Sequence, residues 1–505
     1  MSLTRTKTIE QSMQDTEEPE HQLRKHLGAF DLTVFGIGVC IGAGIFILTG
    51  QVAATNAGPA VALSFLVAGV ACALAALCYA EFASTVPVAG SAYTFSYATF
   101  GELIAWTIGW DLILEFTIGA AALSVGFSSY FVDLVDGTPL EIPANLQAAE
   151  GSGLINLPAL LIALVVTAIL VVGIKLSSRV NQVVVAIKLA VIAIVVGAGI
   201  TYVKSGNYTP FVPESQPPAG GGSWQTAPLI ETLLGLEPAV YGFGGIIAGA
   251  AVVFFAFIGF DVVATTAEET KNPQRDLPIG IISSLAIVTV LYMAVSLIIT
   301  GMQNYTQIDP ESGAPLADAF NAVGVSWMAN TISVGACIGL VAVAMILMLG
   351  QARVAFAMAR DGLLPTWLAK VHPKFGTPYR ITTIVGLAVA AIAGFLPLGT
   401  LTDLVNIGTL FAFVLVSVGV VILRRTRPEL PRAFRVPAAP VVATLAVLSC
   451  LYLMLNLPGE TWVRFGIWMA LGFVVYFVYG RSHSKLGHRL AEEGGPAESS
   501  RSGTR

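Results

Sequence analysis

The chain has 505 residues, of which 55% are hydrophobic and only 11% charged, and its formal net charge is −5. Soluble globular domains carry about 25% charged residues, so this composition excludes an ordinary water-soluble fold. The small negative charge also argues against binding to nucleic acid. The five cysteines lie singly in apolar stretches without a CxxC spacing, which indicates small core residues rather than a metal site or disulfides.

The first 29 residues are polar and contain an acidic cluster at positions 17, 18 and 20. A secretory signal would need an apolar stretch there, so we expect no cleaved leader. We interpret residues 1–29 as a cytoplasmic N-terminal arm and residues 481–505 as a cytoplasmic tail. Both are too short to hold a signalling domain.

Between these ends, apolar runs of about 20 residues recur, which is the length that a helix needs to cross the hydrocarbon core of a bilayer. Their length and the lack of strict two-residue alternation predict helices rather than barrel strands. We therefore predict an all-α integral membrane protein with twelve transmembrane helices. The predicted segments are 30–54, 59–82, 100–131, 154–174, 180–203, 240–267, 279–301, 327–358, 380–396, 401–423, 437–457 and 461–480.

Lysine and arginine are distributed unevenly between the two sides of this topology. With the N-terminus inside, 23 of the 26 Lys and Arg residues fall in cytoplasmic arms and loops. Lys204 and Arg464 lie outside, and Lys188 lies within the fifth segment. The positive-inside rule therefore predicts that both termini are cytoplasmic. We expect a multi-pass protein of the plasma (inner) membrane.

Glycine interrupts the first and the sixth predicted segments. The first contains Gly38, Gly42 and Gly44, and the sixth contains Gly259 after a run of phenylalanines. Broken helices at matching positions of two inverted halves indicate a substrate site near the membrane midplane. An unwound helix exposes N–H and C=O groups, which a zwitterion satisfies with its carboxylate and its ammonium. Close helix packing through small residues is the alternative role of the first-segment glycines.

Three ionisable residues lie deep in these segments. At a rise of about 1.5 Å per residue, Glu115 is about 22 Å into the third segment, Lys188 about 12–15 Å into the fifth and Asp261 about 20 Å into the sixth. A charge at such depth needs a partner or a function. Lys188 is either a titrating group or a fixed cation, paired with a carboxylate or capping the carbonyls of a broken helix. Glu115 either serves the site or is a satisfied packing residue, and Asp261 either contacts substrate or caps a half-helix.

Eight short motifs, in order over about 30–425, carry a family resemblance. They are 27–32 (LGAFDL), 42–46 (GAGIF), 78–82 (CYAEF), 87–93 (PVAGSAY), 109–115 (GWDLILE), 267–273 (AEETKNP), 359–362 (ARDG) and 406–413 (NIGTLFAF). Each motif is weak alone, but together in this order they are specific. On these motifs the chain resembles the amino acid–polyamine–organocation superfamily and, within it, bacterial members of the cationic amino acid transporter family.

The resemblance implies a leucine-transporter-type fold that works by alternating access. A 5+5 inverted repeat would form a ten-helix transport core over 30–425, with two additional C-terminal helices over 426–480. Lys188 matches a lysine whose ammonium replaces a sodium ion of sodium-coupled relatives, which favours proton coupling over sodium coupling. Glu115 and Asp261 match acidic positions near the pocket and are candidates for proton handling or side-chain selection.

The resemblance also implies how a substrate is bound. The amides of Ala43 and Gly44, next to Gly42, would receive the substrate carboxylate. Phe255 matches the aromatic residue that gates the site. The backbone carbonyls implied to receive the substrate amino group are those of Ile41, Phe255, Ala256 and Ile258.

Together these features predict a proton-coupled symporter that imports amino acids, either cationic ones or a broader range. An amino acid exchanger is the main alternative, a sodium symporter is disfavoured by Lys188, and a non-transporting sensor would need a signalling domain. We expect no enzyme activity, because the five histidines lie outside the apolar segments and no HExxH motif occurs. No cofactor or metal is expected. Besides the amino acid, the expected partners are protons and membrane lipids, and a small single-span membrane partner is left open.

Overall fold

A computed structural model describes residues 27–85, 91–148, 153–173, 178–218, 223–237, 239–432 and 434–488. Most of the predicted N-terminal arm, part of the 87–93 motif and most of the predicted tail therefore lie outside the described residues. Within the described residues the chain is helical, and isolated bridges are the only β-type pairings.

The α-helices are numbered here in chain order. They are α1 Ala29–Cys40, α2 Thr49–Val52, α3 Val61–Thr85, α4 Ser91–Thr99, α5 Glu102–Val135, α6 Leu157–Val172, α7 Ser178–Gly199, α8 Leu229–Leu234, α9 Gly242–Val253, α10 Pro273–Met302, α11 Pro315–Ala322, α12 Ser326–Arg360, α13 Tyr379–Phe395, α14 Leu398–Thr426, α15 Ala439–Leu455, α16 Gly459–Val475 and α17 Arg481–His483. Two π-helical turns, Gly44–Leu48 and Ala53–Ala57, flank α2, and two 3-10 helices, Phe254–Phe257 and Asp261–Glu269, follow α9.

Eight helical stretches of the described residues are long and apolar enough to cross a membrane. One of them, Gly44–Thr85, has 42 residues and contains α2 and α3. Four shorter apolar helices, α1, α6, α13 and α15, have 10 to 17 residues. Each predicted apolar segment is thus helical over most of its length, which confirms the all-helical prediction.

The longest helices form the centre of the molecule. α12 packs along α5, and α10 packs along α3. α1 lies against α10 and α7, while α14 packs against both α5 and α3. The 3-10 helix Phe254–Phe257 lies against α3, α14 and the turn Gly44–Leu48. This arrangement places the two glycine-interrupted segments among the longest helices.

A buried carboxylate joins α3 to the connection after α14. Glu81, 3% exposed, pairs with Arg424 at 2.5 Å and with Arg432 at 3.6 Å. It also accepts a hydrogen bond of 2.7 Å from the amide of Val436. The predicted topology placed the end of the second segment and this loop on the same side, and the structure brings them together.

All five cysteines are unpaired, and Cys40, Cys72, Cys78 and Cys450 are buried while Cys337 is partly buried. The prediction that they are small core residues is confirmed for the four buried ones.

Candidate binding site between two broken helices

The first predicted segment is interrupted at the position that its glycines indicated. α1 ends at Cys40, Ile41 leaves helical geometry with φ −71° and ψ 88°, and a new helical stretch begins at Gly44. The first-turn amides of the new stretch, those of Ala43 and Gly44, have no acceptor within their own helix. Since the dipole is positive at this end, these amides are suited to an anion.

Lys188 caps the end of α1 from the neighbouring helix α7. Its Nζ donates to the carbonyl of Gly38 at 2.7 Å and to the carbonyl of Ile41 at 2.8 Å, and the side chain is 1% exposed. No carboxylate within the described residues forms an ion pair with it. Two fixed environments were considered for Lys188, an ion pair with a carboxylate and a cap on the carbonyls of a broken helix. In the described residues the structure shows the cap.

The second interruption follows α9. The 3-10 helix Phe254–Phe257 ends at Ile258, and helical structure resumes at Asp261. Between them Gly259 has φ 114°, a conformation that side chains disfavour, and a Cβ at this position would overlap with Val39 of α1. The break predicted at Gly259 is confirmed. Gly259 packs closely against Val39 of the first broken segment.

Donors from several elements satisfy the carbonyls that this second break frees. Asn406 of α14 donates to the carbonyls of Ala251 and Val252 at 2.9 and 3.1 Å. The Tyr292 hydroxyl lies 2.6 Å from the carbonyl of Ala256. In a membrane, such capping is required because water does not reach freed backbone groups.

Two carbonyls of the break differ in their bonding. The Phe255 carbonyl accepts a hydrogen bond of 3.2 Å from the amide of Ile258. The Ile258 carbonyl accepts none from the part of the chain that the structure describes. Four carbonyls are implied to bind an amino group. That of Ile258 has no donor among the described residues, while those of Ile41, Phe255 and Ala256 already contact a protein donor.

The two breaks touch each other at Gly44. A Cβ on Gly44 would overlap with the Cα and Cβ of Ala256, so only glycine allows this approach. A Cβ on Gly38 would lie 2.5 Å from Val185 of α7, whereas one on Gly42 would lie 3.1 Å from a flexible methyl of Leu123. The packing role considered for the first-segment glycines therefore applies at Gly38 and Gly44.

Three buried carboxylates lie near the second break, and none of them forms a hydrogen bond of good geometry within the described residues. Glu115 and Asp111 are one turn apart on α5, and all four of their oxygens lack a partner, as do both oxygens of Asp261. Glu115 lies within electrostatic range of the other two carboxylates. Glu115 also lies beside the hydroxyl of Thr409, and both of its interpretations stay predictions.

Asp261 is the first residue of the 3-10 helix Asp261–Glu269. Its carboxylate lies beside the backbone amides of Gly259 and Val262 without reaching good hydrogen-bond geometry. The position fits the predicted cap of a half-helix, and the unused oxygens remain available to another donor.

Phe255 differs from its phenylalanine neighbours. Phe254 and Phe260 pack against the ring of Phe413, and Phe257 packs against Tyr292. Phe255 makes no ring contact within the described residues. Its side chain is therefore the one of the four that is not fixed by another aromatic ring.

Sequence reasoning missed three polar residues near the breaks, namely Tyr292, Asn406 and Asp111. Each lies in an apolar predicted segment, which is the signal that had singled out Lys188 and Glu115. Tyrosine and asparagine carry no charge, so their position in the membrane did not by itself indicate a function.

Long apolar helices, two of them interrupted where they meet, define the chain as a multi-pass membrane protein. The family model described as "Amino acid permease" matches residues 27–479. A methylthioribose transporter of Bacillus subtilis (strain 168) is 48% identical over 488 residues, which are 96% of this chain and 99% of the relative. The chain belongs to the amino acid permease family, in agreement with the superfamily resemblance read from its motifs.

Other relatives carry related names. A branched-chain amino acid permease of Bacillus subtilis (strain 168) is 47% identical over 490 residues, covering 96% of this chain and 99% of the relative. A vacuolar cationic amino acid transporter of Arabidopsis thaliana is 40% identical over 432 residues, covering 85% of this chain and 68% of the relative. These proteins are named permeases or transporters, which supports the expectation that the chain is not an enzyme.

Proposed function

We propose that the chain is a secondary active amino acid transporter of the plasma membrane that imports its substrate together with protons. Residues 30–425 form its ten-helix 5+5 inverted repeat, residues 426–480 its last two transmembrane helices, and both termini are cytoplasmic. Alternating access moves the breaks of the first and sixth segments relative to the surrounding helices.

The pairing of the two breaks is the observation that carries this proposal. The helix start at Ala43 and Gly44 presents first-turn amides, which suit a carboxylate. The free carbonyl of Ile258 and the shared carbonyl of Ala256 present acceptors, which suit an ammonium. Because both kinds of group meet at one place, a zwitterionic amino acid satisfies them together better than a solute with a single charge.

Lys188, Glu115 and Asp261 are proposed to couple transport to protons or to select the substrate side chain. The ammonium of Lys188 lies between two backbone carbonyls, which agrees with its proposed role as the substitute for a sodium ion. Loss of its proton would remove the positive charge and one of the three N–H donors, which would weaken both contacts, so protonation and the position of the broken segment are linked. The buried Glu115 and Asp261 carboxylates, which form no ion pair within the described residues, are suited to exchange a proton or to bind a basic side chain.

The experiment that tests the function is uptake by the purified protein in liposomes. Radiolabelled basic, branched-chain and other amino acids are screened together with methylthioribose, with and without an inward proton gradient. We expect amino acid uptake into empty vesicles, stimulated by the gradient. Methylthioribose lacks both the carboxylate and the ammonium, so we expect it to be taken up more slowly.

Uptake that occurs only into vesicles loaded with amino acid, and that ignores the proton gradient, would instead establish an exchanger. Binding without any flux would indicate a sensor. Stimulation by sodium at constant pH would contradict the assignment of Lys188 as the substitute for a cation.

Truncation of Phe255 tests the proposed gate. Phe255→Ala is expected to lower the rate of uptake about tenfold and to broaden the range of substrates, because a gate that does not close leaves the site open to water. Phe243→Ala, at a phenylalanine of α9 that is 81% exposed, is the matched control. An unaltered substrate profile in Phe255→Ala would assign this ring to packing.

A further inference from the structure

Tyr292 connects the two breaks through a single hydroxyl group. It lies on α10 and is 0% exposed, and its Oη is 2.6 Å from the carbonyl of Cys40 and 2.6 Å from the carbonyl of Ala256. Its ring packs against Phe65 and Phe257 at centroid distances of 5.4 and 5.3 Å. The hydroxyl is therefore held between the end of α1 and the end of the 3-10 helix that follows α9.

The hydroxyl of Tyr292 has only one hydrogen for two carbonyl acceptors. A hydroxyl carries one hydrogen, so Tyr292 donates to one of the two carbonyls at a time. The other contact then brings two oxygen atoms together without a hydrogen between them, which is unfavourable in a buried site. An ammonium group has three N–H donors, so its arrival at the Ala256 carbonyl would remove this deficit.

We infer that Tyr292 is a positioning residue of the substrate site. Its hydroxyl donates to either the Cys40 or the Ala256 carbonyl when the site is empty, and to the Cys40 carbonyl when a substrate ammonium bonds to Ala256. The inference rests on the proposed function, in which Ala256 receives the amino group. Tyr292 thereby fixes the spacing of the two carbonyls and links occupation of the second break to the end of α1.

The test compares ligands that carry different charged groups. Tyr292→Phe removes the hydroxyl and keeps the ring. The probes are the best amino acid found for the wild type, the carboxylic acid with the same side chain but no amino group, and the amine with no carboxylate. We expect the affinity for the amino acid and for the amine to fall about tenfold, and that for the acid to change by less than about twofold.

A matched control is available in Tyr208→Phe. Tyr208 also donates from its hydroxyl to a backbone carbonyl at 2.6 Å, that of Leu297. Within the described residues, no hydrogen bond or ring contact joins Tyr208 to either break, so we expect its loss to leave all three affinities unchanged. The melting temperature of both variants is measured first.

Each outcome decides the inference. Equal weakening of all three ligands, or no weakening of the amine, would overturn the positioning role. Failure of Tyr292→Phe to fold, with Tyr208→Phe intact, would assign the hydroxyl to folding and would also overturn it. A wild-type protein that binds no amino acid would instead refute the proposed function itself, so the two failures are distinguishable.

Discussion

Replacement of Lys188 by methionine is expected to reduce proton-driven uptake about 100-fold or more while leaving the protein folded. Methionine keeps the apolar part of the side chain but removes the donor to the carbonyls of Gly38 and Ile41. A buried acceptor that loses its donor costs about 1–3 kcal/mol, and two such losses at the end of α1 would shift the first break out of position. A shift of about 2.7 kcal/mol corresponds to a factor of about 100.

The control for this variant is Lys204→Met, which removes an exposed lysine outside the predicted segments. Uptake is measured with and without the gradient, and counterflow between loaded vesicles is measured in parallel. Retained counterflow with lost gradient stimulation would assign Lys188 to coupling alone. Uptake that keeps its full response to the gradient in Lys188→Met would refute any coupling role.

Substitution of Gly44 by alanine is expected to abolish substrate binding, because the added Cβ would overlap with the backbone of Ala256. The overlap involves main-chain atoms, which cannot rotate away, so the two breaks must separate. Overpacking of this kind costs about 1–3 kcal/mol in a well-packed interior. We expect a melting temperature lowered by a few degrees and no measurable binding of the preferred amino acid.

The matched control is Gly197→Ala on α7, where a Cβ would meet no atom within 4 Å. Alanine at that position favours the helix, so its stability and uptake should equal or exceed those of the wild type. Gly42→Ala distinguishes packing from binding, since its Cβ would meet only a side-chain methyl of Leu123 at 3.1 Å. Normal binding by Gly44→Ala would show that the close approach to Ala256 is not needed for the site.

The helical architecture could be predicted from the sequence because apolar length is a strong signal in a membrane protein. The breaks could be predicted as well, since Gly42, Gly44 and Gly259 stand out in otherwise apolar helices. The burial of Lys188 followed from its position in the fifth segment. Its partners did not, because carbonyls of α1 have no side-chain signature and a carboxylate was an equal alternative.

Tyr292 and Asp111 show what the sequence did not reveal. Tyrosine is common in apolar segments, and its hydroxyl gains a role only through the meeting of α10 with both breaks. Asp111 belongs to a recognised motif, but its lack of a hydrogen-bond partner among the described residues depends on the side chains that surround α5. Contacts between helices distant in the chain are set by packing, which no local pattern encodes.

The carbonyl caps of the two breaks come from three different helices, α7, α10 and α14, through Lys188, Tyr292 and Asn406. A relative shift of about 1 Å between a cap and its carbonyl exceeds the range of a good hydrogen bond. In the proposed carrier, each transport cycle would therefore pass through a state in which several buried carbonyls have lost their hydrogen-bond donors. A bound ammonium would supply donors during that passage and an empty site would not, so we expect the empty carrier to reorient more slowly than the loaded one.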